Sequence, residues 1–346
     1  MGIRVLKGGM MTTVQDLGRT GYQSQGFSVS GVMDVRSFKI ANLLLDNPEN
    51  EAVLEFTLIG PTLEFTSETI ISITGGDFRP QINGKPAKMY TAIYMHRGDI
   101  LTFGGARTGT RGYIAFSSYL DVPVVMGSRS TNIKCQIGGF KGRKLEDEDY
   151  IAFRAKRRYL PYYLSRSLDL DEFDQEKITL RVVMGPQEKM FTKEGRETFL
   201  NSEYTVTSEF DRMGCRLEGP FIAYKTTSDI ISDGIAFGSV QVPSHGKPII
   251  LLADRQTTGG YAKIATVVSV DIPKLVQRKT EQKVRFQAVS VEEAQKLLAD
   301  EMKEPVSYTH PDEMKELNDF RSQIYTPCKE VLDCRLVAKR ISTLFK

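Results

Sequence analysis

Residues Ser228 to Tyr261 read SDIISDGIAFGSVQVPSHGKPIILLADRQTTGGY, and the reading of this stretch decides the fold. Two β-rich runs, Ser239–Val242 and Pro248–Ala253, flank a turn from Pro243 to Gly246 that carries His245. A run, a Pro/Ser/His/Gly turn and a second run predict a β-hairpin. Asp233-Gly234 precedes the hairpin, and the polar loop Asp254-Arg255-Gln256-Thr257-Thr258-Gly259-Gly260-Tyr261 follows it. Loops held on a rigid scaffold are where binding and catalysis concentrate. The same residues also suit a tight turn whose Asp, Gln and Thr side chains bond their own backbone. His245 reads most simply as a surface turn residue.

Outward from this stretch the chain is β-rich. Between Ala52 and Phe153 short runs recur at Val53–Thr57, Leu63–Phe65, Thr69–Ile73, Ile100–Phe103 and Tyr113–Phe116, separated by Gly/Pro/Asn/Asp turns. Short strands at this spacing predict an antiparallel barrel or sandwich. A second β-rich half starts at Ile178, and the charged segment 155–177 is the expected connection. Asp34 suits the N-cap of a helix whose apolar residues Val35, Phe38, Ala41 and Leu45 follow at helical spacing. Ser290-Val291-Glu292-Glu293 is a capping box that opens a C-terminal helix. The expected layout is a core of two β-rich subdomains over residues 1–290 and a helical appendage over 291–346.

Glycine-punctuated polar loops recur at Met11–Gly21, Gly127–Thr131 and Gly138–Arg143. In the first, Arg19 offers a planar fork of donors to an anion or amide, or else pairs internally with Asp16. No G-x-x-x-x-G-K-[ST] phosphate loop occurs. With 346 residues, 40% hydrophobic and 26% charged, the composition is that of an ordinary globular protein. A formal charge of +3 is too small to argue for nucleic acid or an anionic membrane. Four scattered cysteines make neither a disulfide scaffold nor a zinc knuckle. No metal-ligand spacing stands out. Without a secretory or membrane-spanning apolar run, a cytoplasmic setting is expected.

Several of these segments carry a family resemblance. They are Thr12–Asp16 with Gly18-Arg19 and Gly21, Ser30-Gly31 with Met33-Asp34, GSRST at 127–131, and Gly138–Phe140 with Gly142-Arg143. DRMGCRLEGP at 211–220 and Ser239–Tyr261 complete the series. In this order, over roughly residues 3 to 290, they resemble the allophanate-hydrolase subunit 2 family, also called the KipI-antagonist family or the family of the 5-oxoprolinase C component. The module is similar to half of the carboxyltransferase domain of biotin-dependent urea carboxylase. Departures occur at Ser117-Ser118, Glu148-Asp149 and Thr280-Glu281, where the family carries Gly-Gly, Gly-Asp and Pro-Gly.

The resemblance implies a mainly β fold, a cyclophilin-like β-barrel with an accompanying smaller β-rich (α+β) domain. It implies a KipI-type partner (the B component of 5-oxoprolinase), a third component of the LamB/YcsF type, and an active site where paired faces meet. The implied reaction is ATP-dependent (with Mg²⁺) hydrolysis of the 5-oxoproline lactam to L-glutamate, the ATP held by the complex as a whole or by this chain. On that reading Arg19 and Arg255 contact anions, and Asp233 and Asp254 are catalytic, positioning an amide N–H or acting as a base. Gln256, Thr257, Thr258 and Tyr261 donate and accept hydrogen bonds, and Gly234, Gly259 and Gly260 let backbone amides approach the substrate. Alanine at Asp254 is expected to abolish turnover and leave folding intact. Two alternatives stand beside it: a carboxyltransferase subunit, for which no A-M-K-M-type biotin attachment site is present, and a regulatory antagonist of a KipI-like kinase inhibitor.

Overall fold

In the strand Thr62–Phe65 burial alternates, Leu63 and Phe65 inward and Thr62 and Glu64 half-exposed, as the pleat requires of a sheet with one wet face. The central strands Thr69–Gly75 and Arg111–Phe116 are instead buried at every residue, so their sheet must be covered on both faces. The computed structural model, which describes residues 1–156, 160, 163–168 and 173–301, shows what covers them.

One sheet runs Met11–Gln15, Val53–Thr57, Arg111–Phe116, Thr69–Gly75, Ala92–Met95, and the other runs Tyr150–Ala152, Gly2–Lys7, Thr62–Phe65, Ile100–Thr102, Gln81–Ile82, Lys85–Pro86. Their inner faces share one core in which Ile3, Val5 and Phe65 meet Leu54, Phe56, Ile71 and Ile114. On the opposite face of the first sheet, Val53, Ile70, Tyr113 and Ala115 pack on Phe38, Ala41 and Leu45. Phe38 and Ala41 belong to the helix Val35–Leu44, which Leu45 closes and whose N-cap Asp34 accepts from Ser37 N at 2.9 Å. The segment Met11–Gly21, expected to be a loop, therefore begins with a strand.

The closed barrel belongs to the second half. Its seven strands run Lys177–Met184, Lys263–Val267, Ser239–Gln241, Ile249–Leu251, Gly214–Glu218, Tyr204–Phe210 and Lys283–Ala288. The expected hairpin is present, with Val240 opposite Ile250 and Gln241 opposite Ile249. The polar loop after it is shorter than expected. Thr258–Tyr261 is a strand that pairs with Asp229–Gly234 in a separate two-stranded ribbon.

The two halves are joined by side chains. Met33, from the loop before the first helix, is wholly buried in the barrel core, a burial that contributes about 1.5–3 kcal/mol. Gln277 spends its whole amide on the first half. Its Oε1 accepts from Thr110 N at 2.9 Å and Arg111 N at 3.0 Å, and its Nε2 donates to Asp34 Oδ2 at 2.9 Å and Arg111 O at 3.1 Å. The capping box also forms, Ser290 N donating to Glu293 Oε2 and Glu293 N to Ser290 Oγ. Most of the expected C-terminal appendage lies outside the described residues, as does part of the 155–177 connection.

Asp271, wholly buried beside the barrel, gives a pH-dependent contribution to stability. Burial alone would push its carboxyl up, but hydrogen bonds from Arg181 and Lys274 more than offset this and hold its pKa below the ordinary value. A depressed folded pKa contributes stability that is present above the unfolded value of about 3.9 and lost as pH falls through the folded one. We expect Asp271→Asn to cost about 1–3 kcal/mol at pH 7, a gap that narrows below about pH 4. Denaturant midpoints of both proteins from pH 7 to 3 check this; a constant gap would remove Asp271 from the acid response.

Candidate active site at the seam between the halves

The loop that follows the strand Met11–Gln15 is tied down by Asp16. Its Oδ1 accepts from Gly18 N (2.8 Å), Ser128 Oγ (2.6 Å) and Ser130 Oγ (2.6 Å), and its Oδ2 from Arg129 N (2.6 Å). Asp16 thus serves the Gly127–Thr131 loop, and the internal Asp16–Arg19 hydrogen-bonded pair left open by the sequence does not form.

Arg19 is the consequence. Its side chain is wholly buried, and Nη2 donates to the carbonyl of Ser130. Nε and Nη1 have no hydrogen-bond partner among the described residues. Guanidinium has five N–H donors, and each buried donor left unpaired costs about 1–3 kcal/mol. Burial pulls the Arg19 pKa below the usual arginine value, opposed by Asp16, Asp254 and Cys135, which lie close enough to act on its charge. The Gly138-Gly139 turn closes over it with φ of 68° and 53°. A Cβ at Gly138 would sit 2.4 Å from Arg19 Nη2 and 2.1 Å from Ser130 O, so this approach requires glycine. Gln15 Oε1, at the end of the strand Met11–Gln15, and Arg129 Nε, on the Gly127–Thr131 loop, are also without partners among the described residues.

The barrel half supplies the facing wall. Ser30 N donates to Ala253 O at 3.1 Å and Ser28 Oγ to Arg255 O at 2.7 Å, which brings Asp254 to the seam. Both oxygens of Asp254 are engaged by Arg212, from Nε at 2.8 Å and Nη2 at 3.2 Å. Arg212 also donates to Glu55 Oε1 and to Gly31 O. Glu55 Oε2 in turn accepts from Met33 N at 2.8 Å and Tyr113 Oη at 2.9 Å. Burial alone would lower the pKa of Arg212, but Asp254 and Glu55 hold it above the ordinary arginine value. Burial and Glu55 push the Tyr113 phenol well up, so it stays a donor. Because Asp254 pairs with the buried Arg212, its replacement by alanine is expected to cost stability, against the expectation that folding stays intact. Asp254→Asn is the better probe.

A second cluster lies at the ribbon. Asp233, with its side chain 53% exposed, accepts from Lys263 Nζ at 2.8 Å and Gln187 Nε2 at 3.3 Å. The hydrogen bond from Lys263 is the main reason its carboxyl lies below the ordinary Asp range. Gly234 and Thr258 are cross-strand neighbours, as are Asp233 and Gly259. A Cβ on Gly259 would meet Gln241 Nε2 at 2.9 Å. Gln256, Thr258 and Tyr261 are exposed, whereas Thr257 and Gly260 are half-buried.

The structure therefore divides the expected site. Arg19 and Asp254 share the seam, Asp233 on the ribbon is bonded instead to Lys263 and Gln187, Gln256 and Thr257 lie on the segment between, and Thr258 opens the ribbon strand. Arg255 departs from its expected role. It is buried, and its guanidinium donates to the carbonyls of Ile235 (3.0 Å) and Leu252 (3.2 Å) and lies over the Phe237 ring. Sequence reasoning passed over Arg212, Glu55, Lys263 and Gln187. A glutamate inside the apolar run Val53–Thr57 and a lysine opening the run Lys263–Val267 were the available signals. Among the described residues no group of three or more His, Cys, Asp or Glu side chains could hold a metal ion, and no helix is long and apolar enough to cross a membrane.

Residues 25–288 match the family described as carboxyltransferase domain, subdomain A and B. The chain is 33% identical over 308 residues to the C component of 5-oxoprolinase from Escherichia coli K12, covering 87% of this chain and 96% of that protein. It is 34% identical to the corresponding 5-oxoprolinase component of Haemophilus influenzae, over 82% of this chain and 90% of the relative. In three dimensions 89% of the chain superimposes on the K. lactis urea amidolyase with a TM-score of 0.81 and 28% identity, while spanning 20% of that longer chain.

Proposed function

The chain belongs to the carboxyltransferase domain, subdomain A and B, family, and from that premise we propose that it is a subunit of an ATP-dependent 5-oxoprolinase that opens the lactam of 5-oxoproline to L-glutamate. The observation that carries this reading is Arg19, a buried guanidinium with unpaired donors among the described residues, close enough to the fixed carboxylate of Asp254 to feel its charge. 5-Oxoproline presents complementary chemistry, a carboxylate for Arg19 and a ring N–H one bond from the same carbon. Asp254, both of whose oxygens are oriented by Arg212, suits acceptance of that N–H better than proton abstraction. Asp233 is held in its ionised form by Lys263, which makes it a weak base and a good positioner.

A lactam is a poor electrophile, and ATP supplies the activation of its carbonyl oxygen; stabilising the developing charge needs fixed donors. The described residues carry no Walker-type loop and no group of three or more His, Cys, Asp or Glu side chains that could hold a metal ion by themselves. We therefore assign nucleotide binding to the assembled enzyme, with a KipI-type and a LamB/YcsF-type partner, in the cytoplasm. Carboxyl transfer to an amide nitrogen is the second reading, favoured by the fold shared with urea amidolyase. It would need biotin carried on another chain.

The test is 5-oxoproline-dependent formation of ADP and glutamate by the cognate subunits with and without this chain. We expect both products in equal amounts when the chain is present and at least tenfold less without it. A stable complex that instead consumes carboxybiotin and makes no glutamate would establish the second reading.

A further inference from the structure

The loop that covers Arg19 carries an exposed thiol. Cys135 sits on the turn between the bridged residues Asn132 and Ile137, its N–H donating to Asn132 Oδ1 at 2.9 Å. Three residues on, Gly138 is pressed against Arg19 Nη2, and three residues of chain span at most about 11 Å. Asn132 is itself anchored by Nδ2 to Ser30 Oγ at 3.2 Å, so the foot of this turn is fixed while Lys134, Cys135 and Gln136 face solvent.

The guanidinium is arranged for one ligand chemistry. Nη2 spends one hydrogen on Ser130 O; its other hydrogen completes a two-donor fork with either Nε or Nη1, both unpaired among the described residues. Such a fork matches the two oxygens of a carboxylate. A dianion such as phosphate is disfavoured, because Asp16 and Asp254 also lie close to Arg19.

Resting on the reading of Arg19 given above, we infer that Arg19 and the 130–139 loop form a binding site for small monocarboxylates, closed over in this structure, with the thiol of Cys135 at its mouth. Ligands enter on the Cys135 side when the segment Cys135–Gly139 lifts about the anchored Asn132. The site therefore admits affinity labelling: iodoacetate bound at Arg19 presents its α-carbon to Cys135. The thiolate sulfur forms the C–S bond as the C–I bond breaks, iodide leaves with the bonding pair, and the thiol proton goes to solvent.

The experiment compares iodoacetate with neutral iodoacetamide on the full chain, following the Cys135 peptide by mass spectrometry. Free glutathione alkylated under the same conditions serves as the reference thiol, since Cys215 is wholly buried. Any general activation of the thiol affects both reagents, so their rate ratio isolates carboxylate docking. We expect a ratio for Cys135 at least tenfold above that of the reference thiol. It should fall to the reference value in Arg19→Met and be partly retained in Arg19→Lys. In the wild-type protein acetate should protect Cys135 and inorganic phosphate should not. An unbiased ratio, or better protection by phosphate, overturns the proposal. 5-Oxoproline and 2-pyrrolidinone separate the two levels: protection by acetate but not by 5-oxoproline keeps the carboxylate site and defeats the oxoprolinase reading. Oxoproline-dependent turnover by a protein with an unbiased ratio does the reverse.

Discussion

Replacing Arg212 with methionine should lower the free energy of unfolding by about 3–5 kcal/mol, the range for removing one partner of a buried ionic network. Arg212 joins Glu55 of the first half to Asp254 of the barrel, with side chains 10%, 3% and 12% exposed. Without it, Glu55 keeps the N–H of Met33 and the phenol of Tyr113 but loses its hydrogen-bonded cation, and the nearby Arg111 acts on it through charge alone. The excess negative charge sits where Met33 enters the barrel core. Arg212→Lys should lie between, since one ammonium cannot reproduce a fork that reaches two carboxylates and the Gly31 carbonyl. Adding Glu55→Gln to Arg212→Met should recover at least about 1 kcal/mol, because it removes the stranded charge. The chain has no tryptophan, so circular dichroism in urea is the suitable readout. A loss below about 1 kcal/mol would mean that the network contributes little to holding the halves together.

Arg19→Met should do the opposite. In the assembled enzyme we expect kcat/KM for 5-oxoproline to drop about 100-fold or more, corresponding to about 2.7 kcal/mol of lost charge-assisted hydrogen bonding. The unfolding midpoint should stay level or rise, because methionine removes buried donors that have no partner in the free chain. Loss of activity with gained stability distinguishes a ligand-binding arginine from a structural one, for which both would fall. Kinetic constants within threefold of wild type would exclude Arg19 from the site.

Much of the fold was legible because strand periodicity and turn residues are local. The hairpin 239–251, the helix capped by Asp34 and the capping box at Ser290 all rest on signals within about ten residues. The placement of the barrel was not local, since its first strand closes against Lys283–Ala288. The ribbon strand Thr258–Tyr261 was missed because TTGGY lacks apolar alternation; its partner Asp229–Gly234 and a bulge define it. At the site, the types of side chain were readable but their partners were not. Asp254 and Arg255 are adjacent polar residues in sequence. Only the tertiary structure turns one toward the buried Arg212 and the other into main-chain carbonyls, and only it satisfies Asp16 with Ser128 and Ser130 and leaves Nε and Nη1 of Arg19 without a partner among the described residues.

The pairing that shuts the barrel is parallel, Lys177 opposite Lys283 through Val182 opposite Ala288. A ribosome emits these partners about a hundred residues apart, so the first strand of the barrel must wait for the last one before it can join the cylinder. The sandwich has a still longer wait of its own, since its first strand Gly2–Lys7 pairs with Tyr150–Ala152, but both of those strands leave the ribosome before any strand of the barrel. Closing long loops before non-local contacts form is slow, and domains fold as units, N-terminal first, during synthesis. The newborn chain is therefore expected to carry the sandwich before the barrel core that buries Met33 exists. Burial of that methionine, with the contacts of Arg212 and Gln277, then ties the two halves together.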